Sequence, residues 1–79
     1  MNPFTEGTQK HRIMRYLTAF GRVEVWKLIA PRPEGLGVAQ YNARIKEMRE
    51  VLEPQGFEIR NKSGKYFELK KIQDQETLL

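Results

Sequence analysis

A chain of 79 residues has room for one small domain and a single modest core. It is 39% hydrophobic and 30% charged, which suits a folded chain rather than a disordered one, and it has no cysteine, which rules out disulfides and thiolate metal sites. The net charge is +4, a mild basic bias. No apolar run approaches the length of a membrane span, and the first residues lack a basic-then-apolar export signal. Cytoplasmic residence without a membrane is the expectation.

Residues 1–7 contain Pro3 and Gly7 without periodicity and read as a flexible arm. Thr8 has the chemistry of an N-cap. From Gln9 the pattern is helical, with Ile13, Met14, Leu17 and Phe20 sharing a face and Gly21 positioned to end it. Residues 22–25, with β-branched Val23 and Val25, suit a short strand or the start of a second helix. Trp26, Leu28 and Ile29 make that second segment apolar, with Trp26 expected in the core; Pro31 stops it after one and a half to two turns. Residues 30–37 hold two prolines and two glycines and read as a loop, longer than a usual helix-turn-helix corner. A stiff projecting loop with Arg32 at its tip is expected there.

The third helix is predicted over residues 38–53. Val38, Tyr41, Ile45, Met48 and Leu52 recur at steps of three and four, and Pro54 and Gly56 end the run. Phe57-Glu58-Ile59-Arg60 and Phe67-Glu68-Leu69-Lys70 then alternate apolar with charged residues, as half-buried strands do. A loop of Lys62, Ser63 and Gly64 would place Ile59 opposite Phe67 and Phe57 opposite Leu69, at the cost of Glu58 opposite Glu68. Residues 73–79 lack a core pattern and read as a second flexible tail.

The positive charge is not spread evenly. Residues 1–22 carry a net +3 and residues 57–72 another +3, whereas residues 23–56 cancel. A helix followed by a basic hairpin therefore makes double-stranded DNA the first partner to consider. On the third helix, Gln40 and Asn42 can pair with adenine, Ala43 is small enough to lie against base edges, and Arg44 and Lys46 can reach guanine or phosphate. On the hairpin, Arg60, Lys62 and Lys65 are phosphate-binding residue types. An ordinary amphipathic helix with a solvated outer face also fits, and Glu47, Glu50 and Glu53 favour it. No spacing suggests a nucleophile, a metal site or a nucleotide loop, so neither an enzyme nor a cofactor is expected.

Thr8-Gln9-Lys10-His11-Arg12-Ile13, then Tyr41-Asn42-Ala43-Arg44-Ile45-Lys46-Glu47-Met48-Arg49, then Gly56-Phe57-Glu58-Ile59 and a closing hairpin, resemble a winged helix-turn-helix family common in phages and prophages. The resemblance runs over residues 8–72 and implies an α+β domain of three helices plus a small antiparallel hairpin wing. It implies a small phage or mobile-element regulator of transcription that binds DNA, with the third helix in the major groove. By position it singles out Gln40, Asn42, Ala43, Arg44 and Lys46 on the helix and Lys62 and Lys65 on the wing. A homodimer is a natural way for so small a module to gain specificity. The alternatives are a winged-helix module that inhibits or adapts a host protein complex, and an excisionase-like or small-terminase-like accessory.

Overall fold

The computed structural model describes residues 2–72. The expected flexible tail at 73–79 lies outside the described residues. Three helices and a three-stranded antiparallel sheet alternate as α1 (Gln9–Phe20), β1 (Arg22–Glu24), α2 (Val25–Ile29), α3 (Tyr41–Leu52), β2 (Phe57–Lys62) and β3 (Tyr66–Lys71). The sheet order is β1-β3-β2, so the hairpin partner β3 lies in the middle. No helix among the described residues is long and apolar enough to cross a membrane.

The ends of α1 follow from local chemistry. The Thr8 hydroxyl accepts a hydrogen bond from the His11 N–H at 3.2 Å. Gly21 sits at φ 83° and donates its N–H to the Leu17 carbonyl at 2.7 Å. Ile13, Met14 and Leu17 are buried, but Phe20 is 68% exposed. The expectation that Phe20 shares the core face therefore fails. It lies at the last residue of α1, where no element covers it, and its ring packs on Tyr16 with centroids 4.6 Å apart.

Trp26 is likewise not a core residue, being 56% exposed. A helix of five residues points one side chain fully inward, and Leu28 takes that place. Trp26 turns away from Leu28 by roughly 160°, and its indole N–H donates to the Glu24 carboxylate at 2.8 Å.

The segment 30–37 does not project. It folds back on α2 through Leu36 N–H to Lys27 O, Gly37 N–H to Ala30 O and Val38 N–H to Leu28 O, all between 2.8 and 2.9 Å. Arg12 adds a side-chain bond to the Leu36 carbonyl at 3.2 Å. Gly35 is buried against α2, and Arg32 remains exposed.

Val38 joins the core from this extended segment, and α3 begins only at Tyr41, three residues later than its apolar spacing suggests. Gln40 stands before the helix in the left-handed region at φ 53°. Ile45, Met48 and Leu52 form the buried stripe, each contributing about 1.5–3 kcal/mol by burial. A 3-10 turn at Glu53–Gln55 and Gly56 at φ 93° then reverse the chain.

The hairpin register differs from the expected one by two residues. Ile59 faces Leu69, Asn61 faces Phe67 and Lys62 faces Tyr66. This keeps the apolar side chains on the same face but replaces the Glu58–Glu68 clash with two complementary pairs, Glu58 with Lys70 and Arg60 with Glu68. At the tip, Ser63 and Gly64 both have positive φ and the Lys65 N–H bonds the Lys62 carbonyl, as in a type I′ turn. Lys65 is then the extra residue before the ladder resumes at Tyr66. The N-terminal arm is not loose either: Phe4 is only 9% exposed within the core, and the Asn2 side chain bonds the His11 carbonyl at 3.1 Å.

Candidate nucleic-acid interface

The turn at residues 53–56 sends β2 back alongside α3, and one side chain fixes their relative height. The Arg49 Nε donates to the Ile59 carbonyl at 3.0 Å. The Tyr41 ring in the first turn of α3 also meets the Phe67 ring edge-on, with centroids 6.0 Å apart, and Phe67 is paired with Asn61 near the end of β2. The exposed first half of α3 stands beside the hairpin tip rather than beside its base.

Helical spacing sorts the α3 residues into three groups. Asn42, Lys46 and Arg49 follow steps of four and three, so they form one stripe on the flank nearest β2. Asn42 and Lys46 are exposed, and Lys46 has no carboxylate partner among the described residues. Ala43 and Glu50 lie on the outward face. Arg44 lies on the opposite flank, half-buried, with its Nη2 3.1 Å from Glu47. Glu47 also holds Lys10 of α1 at 3.3 Å. That carboxylate, which on sequence grounds counts against phosphate binding, is thus engaged by two cations. Gln40 is exposed before the first turn. No side chain caps α3 and no acidic residue sits in its first turn, so the positive end of its dipole is open to an anion.

The strands also divide the hairpin residues. Ile59 and Phe67 face the core, so Arg60 and Lys62, one residue out of phase, project from the other face of the sheet. There Arg60 bonds Glu58 at 2.7 Å and Lys62 approaches Glu68 at 3.9 Å. The structure does not bring these two cations beside the Asn42–Lys46 stripe. Lys65, by contrast, is exposed at the tip with no carboxylate partner among the described residues. The tip is firmly placed. Asn61 Oδ1 accepts from the Gly64 N–H at 2.8 Å, and the Lys65 carbonyl accepts from the Val25 N–H of α2 at 2.9 Å.

Of the eight residues singled out on sequence grounds, Gln40, Asn42, Ala43 and Lys46 lie just before or in the first half of α3, whereas Lys65 stands at the hairpin tip beside Val25 and Trp26. Arg44, Arg60 and Lys62 are turned to carboxylates. Arg49 was missed, although its place three residues after Lys46 and seven after Asn42 puts it on their stripe. Among the described residues no group of three histidines, cysteines or carboxylates is placed to hold a metal. Comparison with protein-family models, with characterised proteins and with solved structures finds no match to this chain.

Proposed function

We propose that the domain is a winged helix-turn-helix that binds double-stranded DNA, with α3 in the major groove and the β2–β3 hairpin as its wing. The element order and the position of β3 between β1 and β2 support this reading. The observation that carries it is the exposed Asn42–Lys46 stripe, with a lysine unpaired among the described residues, at the uncapped N-terminal half of α3, tied to the hairpin by Arg49 on the Ile59 carbonyl. In this reading base edges meet the short polar side chains of α3 and phosphates meet Lys46, with Lys65 at the wing tip as a separate backbone contact. An α-helix fits the width of the major groove, and asparagine in its first turn is suited to adenine. The role is one of occupancy rather than catalysis. The resemblance of residues 8–72 to phage winged helices supports a small regulator of that kind.

The test is binding to labelled random duplex DNA across a salt series. Neutralising about three to five phosphates gives a slope of log K against log salt of roughly −3 to −4.5. Absence of any complex at low salt, with the folded chain in large excess, refutes the reading.

A further inference from the structure

A second surface lies away from the α3 stripe. It is built from the C-terminal half of α1, from β1 and from α2, and it exposes large aromatic side chains. Phe20 and Trp26 are each more than half exposed. Arg12, Arg15, Tyr16, Ala19, Phe20 and Leu36 line a groove of about 300 Å³ with a mainly apolar wall. An adjoining groove shares Tyr16 and Phe20 and adds Arg22 and Glu24. Single exposed apolar residues are ordinary, but a contiguous aromatic patch with a polar rim marks an interaction site.

We propose that this face docks an acidic segment of a partner protein, with one or two apolar side chains in the Tyr16–Phe20–Leu36 groove and carboxylates over Arg12, Arg15 and Arg22.

Charge selects the occupant. Of the residues lining the two grooves, three are arginines and one, Glu24, is a carboxylate. Glu24 already accepts the Trp26 indole N–H. None of the three arginines has a carboxylate partner among the described residues. A second copy placed symmetrically on this face would set arginine against arginine. An acidic segment instead gains charge-assisted bonds to each guanidinium, while the exposed aromatics and arginines are the residue types that dominate interface energies.

The ring geometry disfavours a single-stranded nucleic acid. Stacked bases need open, flat aromatic faces. Arg22 lies 4.7 Å over the Tyr66 ring, and the Lys27 ammonium is 5.6 Å from both the Tyr16 and Trp26 ring centroids, so one face of each ring is taken by a cation. Tyr16 and Phe20 meet at 43° and leave a cleft between them rather than a platform. A cleft takes an aliphatic side chain more readily than a base. Lys65 of the proposed wing borders this face, in a groove with Arg22, Glu24 and Trp26, but the residues substituted in the test lie outside the proposed DNA surface, so the two readings are tested independently.

The experiment selects a displayed library of random dodecapeptides on the immobilised chain, with the Arg15→Glu, Phe20→Ala double variant as counter-selection. Both positions are exposed, and a matching melting curve confirms that the variant is folded. Enriched peptides are then titrated against the chain by the fluorescence of Trp26, its single tryptophan. The expected result is enrichment of peptides with several Asp or Glu residues around an apolar pair. Arg15→Glu and Phe20→Ala alone should each weaken them about tenfold or more, and Lys71→Ala should not. Peptides that are neutral or basic, or no enrichment over the variant, would overturn the proposal. So would an oligo-dT dodecamer whose binding falls with the same substitutions, or a dimer in sedimentation that Phe20→Ala dissolves.

Discussion

Replacing Gly35 with alanine tests whether the folded-back segment before α3 is structural. A Cβ at this position meets the Ala30 carbonyl oxygen, the Ala30 Cβ at 2.5 Å and the Lys27 carbonyl oxygen at 2.7 Å. Two of these contacts are backbone atoms, so no side-chain rotation relieves them. The same two carbonyls accept the N–H groups of Gly37 and Leu36. Making room therefore weakens two hydrogen bonds worth about 1 kcal/mol each and adds an overpacking cost of about 1–3 kcal/mol. A net loss of about 3 kcal/mol lowers the Tm by roughly 12–24 °C in a domain of this size. Gly64→Ala is the comparison, because it has φ +69° but nothing within 4 Å of its Cβ. Its cost is conformational alone, about 1–2 kcal/mol. Thermal melts followed by circular dichroism, with urea titrations in parallel, measure both. If Gly35→Ala melts no lower than Gly64→Ala, the segment is not packed as described and the reasoning fails.

Three further outcomes are expected. In the DNA salt series, Lys46→Ala and Lys65→Ala should each flatten the slope by about 0.9, whereas Arg44→Ala and Arg60→Ala, held by Glu47 and Glu58, should change it by less than half as much; Asn42→Ala should cost about 1–3 kcal/mol on a selected site if it reads a base bidentately. Phe4→Ala should destabilise the domain by about 3 kcal/mol, and a change below about 0.5 kcal/mol in urea unfolding would mean the arm is not part of the core. Glu58→Cys with Lys70→Cys should form a disulfide under mild oxidation, because directly paired residues have Cα atoms about 4.5–5.5 Å apart. Glu58→Cys with Glu68→Cys, offset by two residues, should not; the reverse result on mass spectrometry would restore the other register.

The sequence was most legible where a local rule acts alone. Thr8 and Gly21 set both ends of α1 because capping needs only a side-chain oxygen or a left-handed residue. Pro31 likewise limited α2. The start of α3 was misread because Val38 sits at helical spacing from Tyr41 and Ile45 yet reaches the core from an extended strand of loop. The hairpin register was misread because a slide of two residues keeps every side chain on its own face. Only the cross-strand charge pairs distinguish the two, and the observed pairs are the complementary ones. Trp26 and Phe20 were misassigned because apolarity states what a side chain prefers, not whether an element arrives to cover it. At the proposed DNA surface, residue type pointed to Lys46 and Lys65, which the structure leaves exposed and without a carboxylate partner among the described residues. It could not tell that Arg44, Arg60 and Lys62 would each find a carboxylate, since those partners depend on helix flank and strand phase.

The hydrogen bond from Arg49 to the Ile59 carbonyl also bears on how copies of this protein behave when crowded. A three-stranded sheet has two edges, and unpaired edge groups invite another strand to add on. Here one edge is β1, only three residues long. The other is β2, whose outward carbonyl at its midpoint is occupied by α3. One edge is short and the other is interrupted at its midpoint, which disfavours the strand-to-strand growth that leads to aggregates.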